Sequence, residues 1–195
     1  MKKNRCSWAK GSEEIRVYHD KEWGRPCFED KKLFEFFLLD TFQAGLSWAI
    51  ILSKRNNFKK AFSNFNTAKV ANYDRGERNR LLQDSGIIRN KKKIEAAVSN
   101  AERILGIQKE YGSFAKYLWQ FTKGEPIQHN YKRLEDIPAI SKEAEAMSKD
   151  MKARGFRFVG PTTLYAFMQG IGMVNDHLVT CLAYQGAKKA LSRRF

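Results

Sequence analysis

Cysteine, proline and acidic residues are all scarce in this 195-residue chain, which holds 3 Cys, 4 Pro, and 21 Asp plus Glu against 36 Lys plus Arg. Three cysteines, odd in number and irregularly placed, exclude a secreted disulfide framework and leave thiols reduced and free to bind metal. No apolar run approaches the ~18 residues that span a bilayer. No apolar stretch follows the lysines of MKKNRCSW, as a signal peptide would require. A cytoplasmic protein without membrane attachment is therefore expected. Alternation of apolar and polar residues is rare, and no proline lies deep inside a periodic segment, so helices rather than strands are predicted.

What the chain has in excess is positive charge: a formal +15 and a pI of 9.8. Polyanions are the natural partners of such a domain, because neutralising phosphates releases counterions. The plain alternative is a protein that is merely basic. With 43% apolar residues the chain can bury a sizeable core, as a single compact unit over 1–195 or as two helical lobes with a cleft between them. An internal repeat is not evident, and the polar stretch GEPIQHNYKRLEDIPAIS, 124–141, reads equally as a connecting loop or as a boundary.

The fold class read from periodicity is all-α. Ile94, Ala97, Val98, Ala101, Ile104 and Leu105 recur at helical steps. DKKLFEFFLLDTF is apolar on most sides and predicts a buried helix over Asp30–Asp40. Further helices are predicted in SWAIILSKRNNFKKAF, RGERNRLLQD, FAKYLWQFT, SKEAEAMSKDMKAR and PTTLYAFMQGIG, while the tail AKKALSRRF is expected to fray.

Three clusters could carry chemistry. His177 and Cys181 are four residues apart, which on a helix places them on one face as half of a tetrahedral zinc site. Cys6 and His19 are the best candidates for the other half, with Cys27 and His129 as spares; the alternative is ordinary buried cysteine and histidine. Such a closed set would tie the chain ends together without chemistry.

Residues 142–172 read as helix, tight turn, helix. Gly155 would end the first helix in a left-handed conformation, and Pro161 would open the second. The amides of Val159, Gly160 and Thr162 would then face a phosphate, with Arg154 and Arg157 alongside. An ordinary αα-hairpin is the competing reading. Lys91, Lys92 and Lys93 stand at a predicted helix start, where the dipole disfavours cations, which hints at a phosphate or a solvated charge run.

Trp8, Tyr18, Trp23 and Trp48 fall mostly within or near a loop-like N-terminal stretch, and Asp40 precedes TFQAGLSW. Stacked rings with one carboxylate suit a flat cation, and in a DNA-binding protein that suggests a flipped base.

The stretches RCSWA, YHDKEWGRP, FQAGLSWAIIL, GIIRNKKKI, GFRFVGPTTLYAFMQ and VNDH closely resemble the bacterial 3-methyladenine DNA glycosylases of the constitutive type, type I, from Cys6 to about Tyr184. The resemblance implies a helix-hairpin-helix glycosylase fold, a structural zinc on Cys6, His19, His177 and Cys181, and release of 3-methyladenine from alkylated double-stranded DNA without a lyase step. It places base binding on Trp8, Tyr18, Trp23, Asp40 and Trp48, with Asp40 as the catalytic candidate. It also places duplex entry on Gln43, Gly45 and Leu46. Asp40 stands where the family usually has glutamate, setting its carboxylate back by roughly 1.5 Å. Asp176 could assist attack of water, as an aspartate does in the wider superfamily; the preferred reading is that it orients a metal ligand or caps a last helix. A monomer is the default expectation. A zinc-stabilised DNA-binding module without activity is the alternative function, and a zinc hydrolase is disfavoured by the closed ligand set.

Overall fold

The computed structural model describes residues 4–191. Eleven α-helices occur among them, with two strands of two residues each. Helix α2, Asp30–Gln43, is the hub, packed against α3 (Trp48–Ser53), α4 (Arg55–Ala61), α7 (Lys91–Tyr111), α8 (Phe114–Trp119) and α10 (Pro161–Gly170). Its run of phenylalanines and leucines explains this: Leu33, Phe34, Phe36, Phe37, Leu38, Leu39 and Phe42 are all buried, leaving the charged side chains of its first two turns toward water. The helix starts at Asp30, whose carboxylate accepts from the amides of Phe114 and Ala115, both at 2.9 Å, and so satisfies the start of α8 as well. It runs a turn beyond the predicted Asp40.

Helix α7 follows its predicted stripe, with Leu105 only half-buried, and is closed at both ends by side-chain chemistry and backbone shape. Asn90 accepts from the amide of Lys93, and Gly112 ends the helix with φ +84°. Helices α5 (Thr67–Ala71) and α6 (Arg75–Gln83) pack on it. Helix α9 (Lys142–Ala153) packs on α10.

Three expectations are corrected. The segment SWAIILSKRNNFKKAF is two helices, because Lys54 leaves helical geometry at the junction of α3 and α4, and its ammonium binds the carbonyls of Ser85 and Gly86. The N-terminal stretch read as a loop holds a 3₁₀ turn, Ser7–Lys10, and helix α1, Glu13–Lys21. Its helical face is locked to the hub by Arg55, which makes a two-bond fork to Glu22 and a third bond to Glu35. The tail is helical as α11, Tyr184–Leu191; residues 192–195 lie outside the described residues.

The stretch 124–141, which read equally as a connecting loop or a boundary, is anchored to the rest of the fold. Strand β1, Ile127–Gln128, pairs in parallel with β2, Val174–Asn175. This pairing brings the loop beside the end of α10, where Gly172 is indispensable: a Cβ there would meet the Arg25 carbonyl carbon at 2.1 Å.

Candidate functional site

Helix α1 presents Tyr18 and His19 on adjacent positions, and the two open different chemistries. His19 turns into a buried cluster with Cys6, His177 and Cys181, whose ligand atoms all lie within 4.8 Å of one another. Cys181 Sγ is 3.4 Å from His19 Nε2 and 3.6 Å from His177 Nδ1, and Cys6 Sγ is 3.9 Å from His177 Nδ1. A tetrahedron of nitrogen and sulfur at about 2.0–2.3 Å from its centre has edges of about 3.3–3.8 Å, so the donor set fits a metal ion.

The remaining ring nitrogens are also engaged. His19 Nδ1 donates to Asp20 at 2.7 Å, and His177 Nε2 to the carbonyl of Trp23 at 3.0 Å, which fixes the tautomers that aim lone pairs inward. The hydrogen bond donated by the Cys6 thiol pushes Cys181 down. The same bond pushes Cys6 up.

The helical reading of His177 and Cys181 does not hold, although the pair does. Residues 176–183 form a loop, because its backbone groups bind elsewhere: Val179 donates to the carbonyl of Tyr131 and Leu182 to that of Asn4, while Asn175 Oδ1 takes the amide of His177. The spares stay outside the cluster. His129 donates to Asp176, and burial pushes the Cys27 thiol up, making it a poor nucleophile.

Tyr18 turns the other way, into a cavity of about 410 Å³. Trp8, Tyr18, Trp23 and Trp48 all line it, together with Asp40 and Gln43. The ring centroids of Trp8 and Trp23 are 5.0 Å apart, and those of Tyr18 and Trp48 are 5.2 Å apart. The two clusters share a wall: Trp23 packs edge-on against His177 at 4.6 Å, and Trp8 against His19 at 5.1 Å. A metal held by these imidazoles would therefore also fix the slot.

Asp40 is 6% exposed and has no hydrogen-bond partner among the described residues. Burial pushes its carboxyl well above the usual carboxylate range. The Trp48 indole N–H is buried and likewise unpartnered. Unmet polar groups are costly in a folded chain, and finding them in one cavity marks a place made for a ligand.

Sequence reasoning missed the opposite wall. Leu134, Ile137, Pro138 and Ala139, from the anchored loop, and Tyr165, Ala166 and Gln169, from α10, line the cavity with Thr162. Only the two prolines and the apolar residues within 124–141 hinted that this stretch was more than a connector.

Gln43, Gly45 and Leu46 follow at the end of α2, with Leu46 exposed rather than packed on the core. The end of that helix is held by Lys93, whose ammonium donates to the carbonyls of Phe42 at 2.8 Å and Ala44 at 2.5 Å. Lys93 is thus buried and committed inside the protein, which corrects the expectation of a phosphate ligand; Lys91 and Lys92 are exposed.

The hairpin between α9 and α10 has the expected joints: Gly155 has φ +82° and Pro161 is the first helical residue. Val159 is buried, and its carbonyl accepts from Ser148 at 2.6 Å. No hydrogen bond from the amides of Val159, Gly160 or Thr162 is found among the described residues. Asn100 of α7, unforeseen from sequence, clamps the turn by accepting from the Arg157 amide and donating to its carbonyl. Arg154 does not add charge to this site, since it is tied to Glu110 and Asp150. Arg157 is exposed.

Asp176 neither caps a helix, as none begins there, nor binds a histidine of the cluster. It is fully buried and accepts from His129 at 2.6 Å, Tyr165 at 2.7 Å and Gln169 at 2.7 Å.

A helical frame around an aromatic slot with one buried carboxyl suits an enzyme that takes a flipped base out of DNA, as glycosylases do. Comparison with known proteins carries this further. The chain belongs to the methyladenine glycosylase family, whose model matches residues 8–184. It is 42% identical over 184 residues to DNA-3-methyladenine glycosylase 1 of Escherichia coli strain K12, covering 94% of this chain and 98% of that one. A crystal structure of a 3-methyladenine DNA glycosylase I superposes with a TM-score of 0.90 at 40% identity, covering 93% and 100% of the two chains. A tyrosine-to-phenylalanine variant of such an enzyme, in complex with 3-methyladenine, superposes with a TM-score of 0.89 at 35% identity, covering 93% and 97%. Among the described residues no helix is long and apolar enough to cross a membrane.

Proposed function

We infer that the protein is a monofunctional DNA-3-methyladenine glycosylase of base-excision repair. It hydrolyses the N-glycosidic bond of 3-methyladenine in alkylated duplex DNA, releasing the base and leaving an abasic site. The observation that carries this reading is the cavity lined by Trp8, Tyr18, Trp23, Trp48 and Tyr165 together with Asp40. Its size falls within the roughly 300–1,000 Å³ usual for small-ligand pockets.

Methylation at N3 makes the base in DNA cationic, so its bond to the sugar is already weak. An electron-rich slot then selects by charge: indole and phenol faces attract the cation, and Asp40 accepts a hydrogen bond from the base edge. Neutral adenine lacks the charge term. When the bond breaks, its electron pair goes to the base, which leaves neutral. Positive charge passes to the sugar, where flanking phosphates stabilise it. Water adds to the anomeric carbon and loses a proton. The hairpin turn carries Pro161, Thr162 and Thr163 and no lysine to form a Schiff base, in keeping with hydrolysis alone.

Residues 142–172 serve as a helix-hairpin-helix grip, with the amides of Val159, Gly160 and Thr162 on a phosphate. Gln43, Gly45 and Leu46 enter the duplex, Leu46 filling the gap left by the flipped base at a cost of a few kcal/mol of unstacking. Cys6, His19, His177 and Cys181 hold one zinc ion, which supplies no reacting group and stabilises the fold. The whole chain works as one glycosylase unit. Incubation with methylated duplex DNA, followed by chromatography of the released bases, tests the reading: free 3-methyladenine is expected, and its absence would leave a DNA-binding module without activity.

A further inference from the structure

Gln169 was not among the residues that sequence reasoning placed in the site, yet it lines the base cavity from the last turn of α10. It is held at both ends. Its backbone carbonyl accepts from the amide of Gly24 at 2.9 Å, the residue after Trp23. Its side-chain Nε2 donates to Asp176 Oδ2 at 2.7 Å. The same oxygen takes the Tyr165 hydroxyl at 2.7 Å, and His129 Nδ1 meets the other at 2.6 Å.

Three donors on one buried carboxylate settle which way the glutamine amide faces. A carboxylate only accepts, so Gln169 must present its NH₂ to Asp176, and Oε1 must point away. Among the described residues Oε1 has no hydrogen-bond partner, and it is not sealed in the interior. It is an open acceptor on a residue that lines the base cavity, and the Nε2 bond to Asp176 fixes its orientation. Turning the amide over would set oxygen against oxygen at Asp176, so it cannot become a donor at low cost.

We propose that Gln169 Oε1 reads the exocyclic amino group of the flipped base, and that Asp176 is the residue that positions it. The inference rests on the function proposed above and adds the discrimination between adenine and guanine. Adenine offers two N–H donors at its 6-position, matched by acceptors on Gln169 and Asp40. Guanine carries a carbonyl oxygen there, which would face an acceptor with no donor between them. A site built around a hydrogen bond rejects the analogue that cannot make it more strongly than a shape-based pocket does. The shorter carboxyl of Asp40 gives the second acceptor a larger share of this task than a glutamate would.

Duplex DNA methylated with dimethyl sulfate carries both 3-methyladenine and 3-methylguanine, so one substrate reports on both bases. Single-turnover release of each is measured for the wild type, Gln169→Met and Asp176→Asn, with melting temperature and metal content recorded for every protein. Gln169→Met is expected to slow 3-methyladenine release by about tenfold, the effect of one lost hydrogen bond, while leaving 3-methylguanine release unchanged or faster. The ratio of the two rates therefore falls by about tenfold. Asp176→Asn, which frees the amide to turn, is expected to lower the ratio in the same direction. Equal slowing of both bases in both variants would mean a merely structural role and overturn the proposal, as would an unchanged ratio. Should Gln169→Met fail to fold, Asp176→Asn decides by the same ratio. Release of neither base by the wild type would instead overturn the function on which the proposal rests.

Discussion

At the scale of single residues, Asp40 shows how binding and stability oppose each other. Its carboxyl is buried without a partner, and burial raises its affinity for a proton. Below about pH 4 the folded and unfolded states are both protonated there and the residue is neutral toward stability. As pH rises above that value the unfolded chain ionises first, so stability falls until the higher folded pKa is passed. Asp40→Asn should therefore melt at a higher temperature than the wild type at neutral pH, with the advantage vanishing near pH 4. It should also bind free 3-methyladenine about tenfold more weakly, which calorimetric titration would register. Unchanged affinity would remove Asp40 from the base site. The aromatic residues and this acid were legible in the sequence because a cluster of tryptophans in a polar stretch is conspicuous. Gln169 and Asp176 were not, since a glutamine amid helix formers and an acid beside a histidine have bland explanations that only contact geometry displaces.

At the scale of elements, periodicity found the long helices well, because α2, α7, α9 and α10 bury continuous faces. It failed where backbone groups bind partners remote in sequence. The 176–183 loop contains a helix-like spacing of His177 and Cys181, yet its amides go to Tyr131 and Asn4. The 124–141 stretch read equally as a connecting loop or a boundary, and its cavity-lining residues were hidden because a two-residue strand pair that carries no sequence pattern anchors it. Asn100 is a third case: an interior polar residue on α7 whose two hydrogen bonds shape the α9–α10 turn. Asn100→Ala should cost about 1–3 kcal/mol, read by urea unfolding, because it removes both hydrogen bonds that pin the Arg157 backbone. If that turn grips DNA, the variant should lose affinity for duplex while keeping its affinity for the free base. Equal losses of both would argue that the hairpin and the cavity are not separate functions.

At the scale of the whole molecule, the Cys/His cluster joins the chain ends and also backs the aromatic slot, since His19 and His177 pack against Trp8 and Trp23. Metal analysis should give about one zinc per chain, and a Cys6→Ser, Cys181→Ser double variant should lose it. That variant should melt at a lower temperature and bind 3-methyladenine more weakly, because the imidazoles that brace the indoles are released. A metal-free wild type of full stability would refute the assignment. The net charge of +15 belongs to this scale too: it favours a polyanion without choosing a sequence, which suits an enzyme that must search undamaged DNA. The central claim is that the aromatic slot captures a base because methylation has made it cationic. The most direct measurement is single-turnover release of 3-methyladenine and adenine from methylated duplex DNA, by the wild type and by Trp48→Ala. The account predicts rapid release of 3-methyladenine with no adenine from the wild type, and release slowed at least tenfold in the variant, the order of one lost cation–π and stacking contact. Equal release by the two proteins, or release of undamaged adenine alongside the methylated base, would contradict it.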